Sequence, residues 1–453
     1  MTMRAGLLSA LLLLAAPAPA QTVHEFVLDN GMKVLVQEDH RAPVVVSQVW
    51  YKVGAGYEHD GITGISHVLE HMMFKGTRRH GPGEFSRIIA ENGGRENAFT
   101  GADYTAYFQL LERSRLPVAL ELEADRMVNL LLQEAEFDKE RKVVMEERRL
   151  RTEDKPRALT WEQFNAAAYF NSPYRHPVIG WMVDLEHLTL ADLQDWYRRW
   201  YTPANATLVV AGDVDPQQVL ALARKYFGPL PRREAAPPKP RVEMPQRGLR
   251  RITVKAPARL PYLVMGWQTP VLATAEPDWE AYALEVLAGV LAGGESARLP
   301  RELVRAQKIA AAADAGYDLY SRQDQRFVID ATPANGRTVA EVEAAIRAQI
   351  ERLKNEPVSA AELARIKAQV VADDVFERDS VFYQAMRLGR LETVGLGWRR
   401  AAEYVPRVKA VTAEQVQAVA RKYFTDDRLV VAVLEPLPLD EAKPAPPAGG
   451  RHH

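Results

Sequence analysis

Hydrophobic positions change period several times in the first half of the chain. HEFVLDNGMKVLVQED (residues 24–39) alternates apolar and polar positions on either side of Asn30-Gly31. That dipeptide suits a tight reversal, so two short strands joined by a hairpin are predicted. APVVVSQVWYKVGAG (residues 42–56) reads as a buried strand running into a glycine-rich turn. GEFSRIIAENGG (residues 83–94) has the pattern of a short helix closed by Gly93-Gly94. ENAFTGADYTAYFQLL (residues 96–111) reads as a strand pair, and residues 116–150 as helix with short breaks.

The pattern then repeats. LTLADLQDWYRRWYT (residues 188–202) aligns without gaps on VTAEQVQAVARKYFT (residues 411–425), with Thr189/Thr412, Gln194/Gln417, Arg198/Arg421 and Thr202/Thr425 identical. Each segment precedes a β-branched run, TLVVAGDV or RLVVAVLE, so both read as amphipathic helix, turn and buried strand. Between the copies lies GPLPRREAAPPKPRVEMPQRGLRR (residues 228–251), whose proline- and arginine-rich composition suits an extended linker. The expected architecture is α+β: two tandem homologous domains, each a mixed, mostly antiparallel sheet flanked by helices. The expected boundaries are 21–231 and 250–436, with a linker at 232–249 and a flexible tail at 437–453.

The first twenty residues differ in kind. MTMRAGLLSALLLLAAPAPA has an early Arg4, an apolar run and Ala18-Pro19-Ala20, the layout of a cleavable secretory signal. The run is short for a membrane anchor, and no later stretch is long and uncharged. An exported, most simply periplasmic, protein without a membrane anchor is expected. A length of 453 residues exceeds one ordinary core. A net charge of −1 offers no overall basic excess for nucleic acid. With no cysteine, disulfides, thiolate catalysis, cysteine-based zinc sites and a lipidated cysteine are all excluded.

HVLEH (residues 67–71) is where chemistry enters. On a helix, His67 and His71 lie four apart and can aim at one point, with Glu70 beside them. A metal there would acidify a water, and Glu70 could take its proton and pass it to a leaving amine. By itself the pattern fits an ordinary charged amphipathic helix equally well. Two features favour the metal. No histidine occurs between Leu188 and Arg451, so a histidine site must lie in the first half. FDKERKVVMEERRLRTED (residues 137–154) then places Glu140 and Glu147 two turns apart on one helix face, with Glu146 elsewhere. A solvated charged face accounts for Glu146, Arg148 and Arg149, but less well for two acids sharing a face with Val144. Catalytic zinc commonly takes two histidines, a glutamate and water. The same donors also accept manganese or cobalt.

These motifs together resemble the pitrilysin/insulinase family of zinc metallopeptidases. The resemblance rests on G-x-x-H-x-x-E-H-M-x-F-K-G-T, on ENGGRENAFTGADYTAYF (residues 91–108) and on E-R-x-V-V-x-E-E. It implies a zinc endopeptidase with one Zn2+ per chain, held by His67, His71 and Glu147, with Glu70 as base and Glu140 orienting the site. It also implies that Asn97, Ala98 and Phe99 form a strand edge on which a peptide substrate lies as an added strand. Read from the residues alone, that stretch is as well an ordinary sheet strand. The family pairs a catalytic half with a degenerate one, and SAAELARIKAQVV (residues 359–371) fits, placing Glu362 under Glu140 but Gln369 under Glu147. An arginine and a tyrosine from the non-catalytic side complete active members. Arg326 fills the arginine slot, Pro333 stands where tyrosine is expected, and Tyr317 or Tyr320 are the substitutes at hand. Short members resemble the mitochondrial processing peptidase, so a heterodimer with a related non-catalytic chain is expected, or else a homodimer. A non-catalytic or partner-dependent subunit is the competing function, although such subunits usually have eroded ligands.

Overall fold

The computed structural model describes residues 22–236 and 239–439. The leader at 1–20 and the tail from residue 440 lie outside the described residues. The first half contains strands β1 (Val23–Val27), β2 (Lys33–Glu38), β3 (Val44–Tyr51), β4 (Arg95–Thr100), β5 (Thr105–Glu112) and β6 (Ala206–Gly212). Its helices are α1 (Ile65–Met72), α2 (Glu84–Glu91), α3 (Leu116–Asn129), α4 (Glu134–Arg148), α5 (Pro156–Ala168), α6 (Met182–His187), α7 (Leu190–Trp200) and α8 (Pro216–Tyr226). The second half contains β7 (Arg250–Pro257), β8 (Tyr262–Thr269), β9 (Ala310–Gly316), β10 (Gln325–Pro333) and β11 (Leu429–Leu437). Its helices are α9 (Trp279–Ala292), α10 (Val339–Asn355), α11 (Ala360–Arg378), α12 (Val381–Thr393), α13 (Tyr404–Ala410) and α14 (Ala413–Tyr423).

The expected hairpin joins β1 to β2, and Gly31 takes the left-handed φ of +90° that its turn requires. The two sheets have one plan. Their strand orders are β1-β2-β6-β3-β5-β4 and β7-β11-β8-β10-β9. Apart from the added β1, the strands correspond one to one, with a single parallel pair in each: β2 with β6, and β7 with β11. The duplication seen in two helices therefore extends through both sheets, and the α+β expectation holds.

Strand periodicity sets the cores. In the first sheet Val34, Val36, Val45, Val49, Tyr51, Tyr107, Leu208 and Val210 face the main helical layer. Leu35, Val46, Trp50, Ala106, Val209 and Ala211 face the other way, onto Ala385 and Leu388 of α12. The exchange is reciprocal, because Phe164 and Ala168 of α5 cover Val264, Val430, Ala432 and Leu434 of the second sheet. Each half thus lends one helix to the other's sheet. Both crossings depend on a glycine: a Cβ at Gly389 would overlap the Trp50 indole, and one at Gly266 would overlap the Phe164 ring. Interiors packed at crystal-like density leave no room for either.

Candidate metal centre

α1 buries Val68, Leu69 and Met72 in the main core. That leaves His67, Glu70 and His71 facing a cleft beside α4, whose buried residues include Phe137, Glu140 and Val144. His67 Nε2 lies 3.8 Å, and His71 Nε2 3.5 Å, from the same oxygen, Glu147 Oε2. Donor atoms of the three residues all lie within 4.8 Å of one another. Zinc bonds of about 2.0–2.2 Å in a tetrahedron place donors roughly 3.4 Å apart, so this set fits the metal. Glu70 is outside the set. Its Oε2 accepts a hydrogen bond from Thr100 on β4, which leaves the carboxylate beside the donors and off them.

Further side chains hold the donors. His71 Nδ1 donates to Glu140 Oε2 at 3.3 Å, which selects the tautomer that frees Nε2. Lys75 Nζ sits 2.8 Å from the other Glu140 oxygen, and Arg151 Nη1 sits 2.6 Å from Glu147 Oε1. His67 Nδ1 is buried with no hydrogen-bond partner among the described residues. Electrostatics separate the two histidines. Burial, and then the neighbouring His71, pull His67 down to about 4. Burial also works against a charged His71, but Glu140 and Glu147 outweigh it and lift His71 to about 9. Burial raises Glu70 above the usual carboxylate range, partly offset by the Thr100 hydroxyl, and this suits a base that must take and return a proton.

The start of α1 is anchored by an acid outside the motif. Glu58 is fully buried and accepts from the backbone N–H groups of Gly64 (2.7 Å) and Ser66 (2.9 Å). These are donors that a helix start leaves free. Burial outweighs those bonds and pushes the carboxyl up to about 7.

β4 is an edge strand, paired with β5 alone. Asn97 is exposed, Ala98 packs toward the main core, and Phe99 meets Trp50 edge-on at 5.3 Å. The edge lies next to the donors, since Thr100 at its end reaches Glu70.

Two expectations come out differently. Arg326 is not brought to this cluster. It is buried, its Nη2 donates to the Ala168 carbonyl and its guanidinium lies over the Tyr169 ring. Arg148 is not on a solvated face. Only 4% exposed, it forms a two-pronged pair with Glu162 at 2.7 and 2.9 Å. Of the substitutes for the missing tyrosine, Tyr317 donates to the Pro270 carbonyl, while the Tyr320 hydroxyl is buried without a partner among the described residues. Thr100, Lys75, Arg151 and Glu58 escaped the sequence reading. Lys75, one turn beyond His71, and Arg151, one turn beyond Glu147, carried a local signal.

The second half shows what the ligands need. Setting α9 on α1 in register places Glu285, Ala288 and Gly289 at the positions of His67, Glu70 and His71. Val286, Leu287 and Val290 are then buried like Val68, Leu69 and Met72. A Cβ at Gly289 would lie 2.9 Å from Ile366, the counterpart of Val144, so α11 leaves no space for a histidine. Gln369 donates instead to the Gly293 carbonyl, and Glu362 is taken up by Arg298.

A duplicated α+β scaffold with, among the described residues, one His-His-Glu donor set, in its first half, is the layout of a metallopeptidase-like class of proteins. Residues 33–180 match the model of the insulinase domain (peptidase family M16), and residues 187–370 match that of the peptidase M16 inactive domain. Zinc protease PqqE of Helicobacter pylori is 34% identical over 445 residues, spanning 95% of this chain and 98% of that protein. A Mycobacterium tuberculosis protein named uncharacterized zinc protease Rv2782c is 31% identical, spanning 93% of this chain and 95% of that one. A crystal structure of a protease from Helicobacter pylori superposes with a TM-score of 0.88 at 31% identity, covering 92% of this chain and all of that one. The periplasmic protease PqqL of Escherichia coli shares the fold, with a TM-score of 0.78 at 20% identity. This chain covers 49% of PqqL's length. The chain belongs to the insulinase, or M16, family of peptidases.

Proposed function

We propose that this chain is a zinc-dependent endopeptidase acting on peptides or small unfolded proteins. The observation that carries it is the convergence of His67, His71 and Glu147 on one point, with Glu70 alongside, free of the donor set and tied to an open strand edge. Bound zinc would supply Lewis acidity toward a carbonyl oxygen and lower the pKa of a water. The chain's own groups do the rest. The backbone of Asn97, Ala98 and Phe99 receives the substrate as an added strand, which orients a peptide with little demand on its sequence. Glu70 takes the proton of the attacking water and returns it to the departing amine, and the Thr100 hydroxyl holds its carboxylate in place. Glu140 holds the His71 ring, and Arg151 holds the Glu147 oxygen turned away from the histidines. Glu70→Gln is expected to keep zinc and to lose about 10²–10⁴-fold in kcat. A variant that keeps zinc and cleaves like wild type would sink the assignment.

A second reading concerns assembly. Arg326 is occupied by Ala168 and Tyr169, so it does not supply the expected arginine to the cluster of its own chain. PqqL is about twice as long as the matched region. Both observations support a working form made of two chains, either two copies or this chain with a related non-catalytic one. Specific activity that rises with protein concentration identifies the homodimer, and activity appearing only on mixing with a second chain identifies the heterodimer. The leader-like first twenty residues, and the periplasmic setting named for PqqL, support export to the periplasm. No helix among the described residues is long and apolar enough to cross a membrane.

A further inference from the structure

The loop between β9 and β10 carries Arg322 out of the second half and into the first. Its backbone N–H and its Nε each donate to the Asp103 carboxylate at 3.1 Å. Its Nη2 donates to the Gly56 carbonyl at 3.2 Å, and its guanidinium lies 4.3 Å from the Tyr57 ring centre. Asp103 is 4% exposed and also accepts from the Tyr174 hydroxyl at 2.5 Å. That hydroxyl in turn accepts from the backbone of Arg322 and Gln323, both at 3.2 Å.

The two segments under this guanidinium lead to different parts of the metal centre. Gly56 lies in the loop that runs into Glu58, the acid holding the first turn of α1 and therefore the bearing of His67, Glu70 and His71. Asp103 lies in the turn that follows Thr100, the residue bonded to Glu70 at the end of the edge strand. The segments are also joined directly: Ala55 N–H donates to Gly101 O at 3.1 Å and Gly56 N–H to Ala102 O at 2.6 Å. A Cβ on Gly56 would lie 2.8 Å from Ala102 O, so the join is too close for a side chain. A join made of two backbone hydrogen bonds can open locally unless side chains reinforce it. Arg322 spans the two segments, with a charge-assisted grip on one and a carbonyl of the other.

We propose that Arg322 is a positioning residue for the peptidase site: the histidine-free half uses it to clamp the metal-bearing helix to the substrate-strand edge. This rests on the peptidase reading above, and it assigns the second half a role inside its own chain. Arg322 touches neither the donors nor the edge strand, so its loss acts through geometry, and misplacement by an ångström costs heavily in a reaction that depends on alignment.

The test compares Arg322→Gln and Arg322→Lys with a control, Arg157→Gln. Arg157 on α5 also bridges the halves, donating to Thr332 Oγ1 at 2.8 Å, but it contacts neither loop. Four quantities are measured: zinc content, thermal midpoint, amide hydrogen exchange at Ala55 and Gly56, and kcat separately from KM. For Arg322→Gln, zinc is retained, exchange at Gly56 rises at least about tenfold, and kcat falls about ten- to a hundredfold with KM little changed. Lysine restores part of kcat, and Arg157→Gln leaves kcat as in wild type. Wild-type kcat or unchanged exchange at Gly56 in Arg322→Gln overturns the proposal. So does an equal loss of kcat in the control, which would mean that any loosening between the halves suffices. Should wild type cleave no peptide, the functional reading falls, while exchange at Gly56 still decides whether the clamp exists.

Discussion

The two halves share a sheet topology and a helix arrangement, yet among the described residues only the first carries a donor set. In the first, Val144 leaves enough room between α4 and α1 for His71, and Glu147 faces two imidazole nitrogens. In the second, Ile366 crowds the position of Gly289, and Gln369 turns to a backbone carbonyl. The difference teaches that this fold does not need the metal to hold together. The second half holds the corresponding positions with Ile366, a Gln369–Gly293 hydrogen bond and the Arg298–Glu362 ion pair.

The comparison can be broken most sharply at Glu147. Glu147→Gln makes the first half resemble the second, and zinc affinity is expected to fall by well over about 100-fold, more than losing an outer partner costs. Competition with a chelator measures it. Glu140→Gln keeps the donors but removes the acid that orients His71, and a loss of about 10–100-fold in zinc affinity is expected by the same assay. The reverse graft tests the second half. Adding Glu285→His, Gly289→His and Gln369→Glu is expected to create no second zinc site, and to cost about 1–3 kcal/mol of stability through overpacking at Ile366. Tight binding of a second zinc equivalent would show that sterics are not the barrier.

The smallest effect is a pH dependence. In the metal-free protein His71 has its pKa raised to about 9 by Glu140 and Glu147 acting against burial. The stabilisation from its charged form is complete below about 6.5, the unfolded value, and is lost as pH rises through the folded value. Zinc requires neutral imidazole, so its apparent affinity should climb about tenfold per pH unit from neutrality to that value, with about one proton released per zinc near pH 7. His67, lowered to about 4, should add nothing to that release above pH 5 or so. Calorimetry in buffers of different ionisation enthalpy counts the proton. No release at pH 7 would remove the Glu140–His71–Glu147 coupling.

Much of this molecule was legible along the chain. The i,i+4 histidines, the seven-residue step from Glu140 to Glu147 and the histidine-free second half are local or compositional facts, and helix geometry alone converts them into a shared face. The hairpin at Asn30-Gly31 and the doubled helix–strand unit followed from turn chemistry and periodicity for the same reason. Arg148 misled because a charged residue at a helix end looks solvated until Glu162, fourteen positions on, is folded against it. Arg326 was assigned through the family resemblance, whereas α5, lent by the other half, covers the sheet where it stands.

The sequence by itself determined which residues could bind a metal and that only one half could do so, because ligand type and helical spacing are properties of neighbours. Tertiary structure alone decided which Glu147 oxygen faces the imidazoles, and that the end of the β4 edge lies beside Glu70, with Thr100 bonded to it. It alone decided, too, that Arg322 of the silent half meets Asp103 and Gly56. Those contacts join residues far apart in the chain, and nothing in local pattern encodes them until two sheets, each covered by the other's helix, bring them together.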